Sequence, residues 1–246
     1  MGRFYNNVCT DTLGTCMYAK DLPPTYIPIW LSVKLPFLIL IGICLLPFTE
    51  KKIFTNNKKN IFFGTILATS ILIPLILILW NITLYDEVRH IMFLIPLFFI
   101  LGTISLFTFS KKIFYLLGFI TVSLFVIENI KIHPYQYVWF NMPSRFIDLT
   151  SKFELEYQGI SGKEIAKQIS KMDNKERCML VSPLHSVKPF LDKEKYSCFA
   201  QWQMIDTNYE RPFLAVQHVR NLKKSMPYKC EPIYIESFNL LSVSYT

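Results

Sequence analysis

The chain has little of what short catalytic signatures are built from. Glycine is scarce, at eight of 246 residues, and no Gly-rich phosphate loop, HExxH, GxSxG or DxD element occurs. Its six cysteines, at 9, 16, 44, 178, 198 and 230, include no metal-type CxxC pair. Four histidines are present, and His133, His185 and His218 have no partner at metal-ligand spacing, so they read as loop, structural or exposed residues. Charge is low at 18% of residues and the net +8 is spread along the chain. No concentrated basic stripe exists, which excludes a nucleic-acid partner. Nor is there a myristoylation signal or an apolar signal-peptide core at the start.

What is abundant is apolar sequence, 52% of residues, and it crowds into the first half. No Asp, Glu, Lys or Arg occurs from Ile61 to Leu84 or from Ile91 to Ser110. Each stretch is about the 20 residues that a helix needs to cross roughly 30 Å of hydrocarbon. Residues 27–48 form a further run interrupted by Pro28, Lys34 and Pro36, whose first part is expected at the membrane interface. Residues 113–130 complete a short, tilted fourth span. A buried helix of a water-soluble fold would show a polar stripe every three to four residues, and none of these runs has one. The expected architecture is therefore an α-helical polytopic membrane region of about four spans (27–48, 61–84, 91–110, 113–130). An extracytoplasmic segment, 1–26, precedes it and a small extracytoplasmic α/β or α+β domain, 131–246, follows.

Loop charge orients the spans. Lys51, Lys52, Lys58 and Lys59 precede the second span and Lys111 and Lys112 precede the fourth, whereas the turn between the second and third carries one arginine. The lysine-bearing loops belong in the cytoplasm, which puts residues 81–90 and the tail outside a plasma (inner) membrane. On that side Cys9 and Cys16 have the choice of a disulfide, as does a pair among Cys178, Cys198 and Cys230, with plain thiols the ordinary alternative. In the tail, "SGKEIAKQISKM" has the apolar spacing of an amphipathic helix, with Ser161 as a cap and Glu164 three residues on. "RCMLVSP" and "PFLAVQHV" read as strands and "EPIYIESFNLLSVSYT" as a terminal hairpin.

The chemistry-bearing candidate is the turn "LYDEVRH". Asp86 and Arg89 are three residues apart, so on a helical turn they pair, and an arginine at headgroup depth beside His90 suits a lipid-linked phosphate. The plain alternative is a wet turn holding a solvated ion pair of little energetic weight. Lys34 either snorkels to the headgroups or faces a polar cavity. Glu154 and Glu156 alternate on an extended segment and so share a face. Asn81, Ile82 and Thr83 form a glycosylation sequon that lies close to the span.

Four blocks, "YAKDLPPTYIPIWLSVKLP", "LYDEVRHIMFLIP", "HPYQYVWFN" and "KFELEYQGISGKEIAKQI", taken in order, resemble the C-terminal part of bacterial membrane glycosyltransferases of the C-type superfamily. That group is similar to protein O-mannosyltransferases and aminoarabinose transferases, which use polyprenyl-phosphate sugars. The likeness covers most of the chain. The family's Leu-Tyr-Asp-Gly followed by Arg-His is matched at Leu84, Tyr85, Asp86, Arg89 and His90, with Glu87 in place of the glycine. An Asp-Tyr-Trp-Gly element stands as Glu156, Tyr157, Gln158 and Gly159.

The resemblance implies inverting sugar transfer to an extracytoplasmic acceptor. Arg89 and His90 steady the departing lipid phosphate, Asp86 orients the arginine, and Tyr85, Lys34, Tyr26 and Trp30 stand near the lipid carrier. Tyr26 and Trp30 serve equally as interfacial anchors. The family's catalytic acid follows a first span upstream of these blocks, so the chain is expected to be the back part of a longer enzyme and inactive alone. Its partners would then be membrane lipid, the sugar donor and that upstream part. No cofactor is implied, and a divalent metal is neither implied nor excluded. The competing expectation is a non-catalytic membrane subunit whose outer domain binds a partner or glycan.

Overall fold

A computed structural model describes residues 9–54, 57–155, 162–171, 178–182, 184–191, 198–200 and 213–217. The chain divides into two compact units, Met1–Phe153 and Glu154–Thr246. The stretch 131–153, expected in the outer domain, folds with the first unit. The reason is specific: Asn141, Arg145 and Phe153 all bond to or pack on elements earlier in the chain.

Among the described residues, three helices of the first unit are long and apolar enough to span a membrane: Asn60–Leu79, Arg89–Phe109 and Lys111–Ile132. They correspond to α4 (Asn57–Leu79), α5 (Ile95–Phe109) with the tight 3₁₀ turn Arg89–Leu94 leading into it, and α6 (Lys111–Ile132). Little of their apolar surface is covered by protein: 17%, 33% and 0% of the respective windows is buried. Surface of that kind is at home only in hydrocarbon. The chain is a multi-pass membrane protein by this measure.

The expected span 27–48 is not one helix. It is α1 (Tyr26–Lys34) and α2 (Phe37–Cys44), bent by 120° at Leu35 and Pro36. Proline at 36 has no N–H to give the Ser32 carbonyl, and the residue before a proline avoids helical backbone, as Leu35 does with ψ 139°. Lys51 and Lys52, expected in a loop, lie in the last turn of α3 (Leu46–Ile53), where cations suit the negative end of the helix. Lys111 and Lys112 open α6, whose cap Ser110 accepts from the Ile113 amide.

Where helices meet, small residues set the distance. A Cβ at Gly42 of α2 would collide with the Gly102 carbonyl of α5, and one at Gly102 would lie 2.7 Å from the Ile39 carbonyl. Close backbone approach of this kind is how helices pack without a hydrophobic driving force between them. Thr49 and Ser105 hydroxyls, 2.8 Å apart, tie α3 to α5. A short hairpin, β1 (Cys9–Thr12) and β2 (Thr15–Tyr18), is closed by a Cys9–Cys16 disulfide, and its turn uses Leu13 and Gly14 at φ 51° and 80°.

The second unit holds α8 (Gly162–Ile169), α9 (Leu184–Val187) and a three-stranded parallel sheet in the order β4 (Cys198–Ala200), β3 (Cys178–Ser182), β5 (Phe213–Gln217). α8 buries Ile165, Ala166 and Ile169 of the expected stripe, whose fourth member, Met172, lies outside the described residues, and a Cβ on Gly162 would strike the Ser186 carbonyl. β3 pairs in parallel with both neighbours. The cap at Ser161 and the terminal hairpin lie outside the described residues. A four-residue helix, α7 (Leu149–Lys152), ends the first unit just before Phe153.

Candidate functional site

The turn from Leu84 to His90 is built around two backbone residues in the left-handed region, Asp86 at φ 56° and Glu87 at φ 62°. That conformation costs an L residue on the order of 1–2 kcal/mol and is usually left to glycine. Both side chains are turned inward, with Asp86 6% and Glu87 4% exposed, while Arg89 and His90 face outward. Leu84 and Ile91, both buried, pin the two ends of the turn.

What holds it is a stripe on α1. Tyr26, Trp30 and Lys34 are spaced i, i+4, i+8 and so share one face of the helix. The Tyr26 hydroxyl donates to the Glu87 carbonyl at 3.3 Å, and Trp30 Nε1 donates to Thr12 Oγ1 at 3.0 Å. Lys34 Nζ meets the Glu87 carboxylate at 2.6 Å. The hairpin contributes Thr10, whose Oγ1 accepts the Asp86 amide at 3.2 Å. Trp30, fully buried, packs edge-on against Phe153 at 5.2 Å and beside Phe140 at 6.2 Å, so the stripe rests on an aromatic core.

On the rim, Arg89 donates to Asp86 Oδ2 at 3.3 Å and its amide to the Asp86 carbonyl at 3.2 Å. This is the pairing that the three-residue spacing suggested. The Arg89 side chain stays 52% exposed. The His90 and Tyr85 rings stack edge-on at 4.4 Å. An arginine fork anchored on one side by a carboxylate and open on the other can take the oxygen pair of a phosphate, with an imidazole as neighbouring donor.

The six residues read from the sequence thus converge but divide in role. Asp86, Arg89, His90 and Tyr85 form the turn, of which Arg89 and His90 present polar groups outward. The Lys34 side chain is buried and ion-paired with Glu87. Tyr26, 1% exposed, and Trp30, 0% exposed, are interior residues, which removes both from an open lipid groove and from an anchoring belt. Sequence reasoning missed Glu87 as the partner of Lys34, and Thr10 and Asn141 as supports. The one available signal was an acid where glycine is the ordinary solution. Glu154 is buried, and Glu156 with Tyr157, Gln158 and Gly159 lies outside the described residues. No group of three or more metal-ligating side chains occurs among the described residues. No family model, no curated protein and no solved structure matches the chain.

Proposed function

We propose that the chain forms the phosphate-recognising part of a membrane glycosyltransferase, with the Arg89–His90 rim binding the phosphate of a polyprenyl-phosphate sugar on the extracytoplasmic side. The carrying observation is the oriented, half-exposed Arg89 at the head of a membrane-spanning helix, held by the buried Asp86. A phosphate on a lipid carrier lies at this depth. During transfer, negative charge accumulates on that leaving phosphate, and a pre-oriented guanidinium stabilises it without reorganising. The resemblance in four blocks supports the same substrate class, and the left-handed backbone at Glu87 fits a position where the similar enzymes have glycine.

Two observations support the sidedness. The lysines cluster on helix ends away from the turn, in the last turn of α3, the first of α4 and the first of α6. The hairpin that touches Asp86 also carries the Cys9–Cys16 disulfide, a bond that persists outside the cytoplasm.

The test is binding of a labelled polyprenyl phosphate to the purified full chain in detergent, with the unphosphorylated polyprenol as competitor. Wild type should bind and the alcohol should compete poorly. Arg89→Ala should weaken binding at least about ten-fold, the equivalent of one hydrogen bond between charged groups. Equal binding by Arg89→Ala, or equal competition by the alcohol, overturns the reading and favours a non-catalytic membrane subunit.

A further inference from the structure

We infer that the buried Lys34–Glu87 ion pair is a positioning latch, setting the backbone of the turn so that Arg89 and His90 face the ligand, while Lys34 itself touches no ligand. The inference rests on the phosphate-binding reading above and extends it to residues outside the rim.

The two charges meet at 2.6 Å with side chains only 7% and 3% exposed. A pair so desolvated gains little over a well-packed apolar pair, so stability alone does not account for it; fixing one conformation is the better-attested use. The conformation in question is adjacent. Glu87 has φ 62°, where glycine would be unstrained, and Asp86 before it has φ 56°. A side chain at such a position must be held, and Glu87 is held twice from α1, through its carboxylate by Lys34 and through its carbonyl by Tyr26. The ammonium is committed on its other sides as well, donating to the Tyr137 carbonyl at 3.1 Å and lying 4.1 Å from the centre of the Phe140 ring. Its α1 anchor is tied down at its C-terminal end, where Asn141 donates to the carbonyls at the helix break. Two residues past Glu87, the chain reaches Arg89, whose amide and guanidinium both return to Asp86. A change in φ at 87 therefore redirects the arginine.

The discriminating variant is the double substitution Lys34→Met with Glu87→Gly in the full chain. It removes both charges of the pair together and accepts positive φ at 87 without strain, so it should fold and melt no lower than wild type. The latch account nonetheless expects looser backbone at the turn. Hydrogen exchange at the Arg89 amide should accelerate, and polyprenyl-phosphate binding per folded molecule should weaken, each by about ten-fold, mid-range for coupled neighbours. A stable variant with wild-type exchange and wild-type binding overturns the latch, because a merely structural pair would leave both unmoved. If that variant does not fold, Glu87→Gln, which keeps the shape and removes the charge, yields the same two readouts. Should wild type itself not bind the probe, the phosphate reading fails, and exchange at Arg89 alone decides the latch.

Discussion

The side-chain amide of Asn141 donates to the carbonyl of Ser32 at 2.6 Å, across 109 positions of sequence. That carbonyl is the one Pro36 cannot serve. Asn141 also donates to the Leu35 carbonyl at 2.8 Å and, from its backbone amide, to the Val33 carbonyl at 2.9 Å, so one residue satisfies three carbonyls at the frayed end of α1. Its own Oδ1 accepts from Ser144.

Asn141→Leu should accordingly leave buried carbonyls without donors and lower stability by about 1–3 kcal/mol. Thermal unfolding of the purified chain in detergent measures it. Asn141→Asp should be at least as damaging, since a carboxylate offers these carbonyls no donor.

The glycines separate by environment. Gly42→Ala drives a methyl into the Gly102 carbonyl and should cost roughly 1–3 kcal/mol through displaced helices. Gly118→Ala, at a position in α6 with nothing within 4 Å, should be neutral or gain up to about 1 kcal/mol from helix propensity. Melting temperatures of the two variants side by side check the contrast.

Helix α6 is tied to the following segment by Arg145, which grips both oxygens of Glu128 at 2.7 and 2.8 Å, with Trp139 Nε1 donating to the same carboxylate at 3.0 Å. The pair is about one-fifth exposed. Glu128→Gln should cost about 1–2 kcal/mol, and Arg145→Met on that background should cost less than it does alone. A double-mutant cycle on thermal unfolding reads the coupling; simple additivity would contradict it.

Two of the spans, 61–84 and 91–110, were legible because an uncharged run of about 20 residues leaves the chain few alternatives, and the fourth was legible as a shorter run extended to Glu128. That residues 27–48 do not form one straight helix was legible from Pro28, Lys34 and Pro36, since each obstructs a straight apolar helix. The 120° bend itself was not, because it depends on Asn141, far away in sequence, to satisfy the broken end. In the site, Asp86 with Arg89 is a local spacing and could be read directly. Lys34 with Glu87 is a contact across 53 positions between two residues that each look solvated in isolation, and no periodicity encodes it. The same applies to residues 131–153, whose polar and aromatic composition resembles an interfacial loop until Arg145 and Asn141 are seen to bind back onto α6 and α1.

Removal of the disulfide tests how the hairpin supports the turn. Cys9→Ser with Cys16→Ser opens a loop with a sequence separation of seven, worth about 2 kcal/mol. It should also accelerate hydrogen exchange at the Asp86 amide, which Thr10 accepts. Mass spectrometry of the wild-type protein from intact cells, alkylated before reduction, should find Cys9 and Cys16 oxidised.

The most direct test is of where the rim lies and what it meets. His90→Cys, on a background with Cys44, Cys178, Cys198 and Cys230 replaced by serine, is treated in intact cells with a membrane-impermeant maleimide, with and without added polyprenyl phosphate. Labelling in intact cells, suppressed by the lipid phosphate, is the predicted result. Labelling that appears only after lysis, or that the lipid leaves unchanged, contradicts the account.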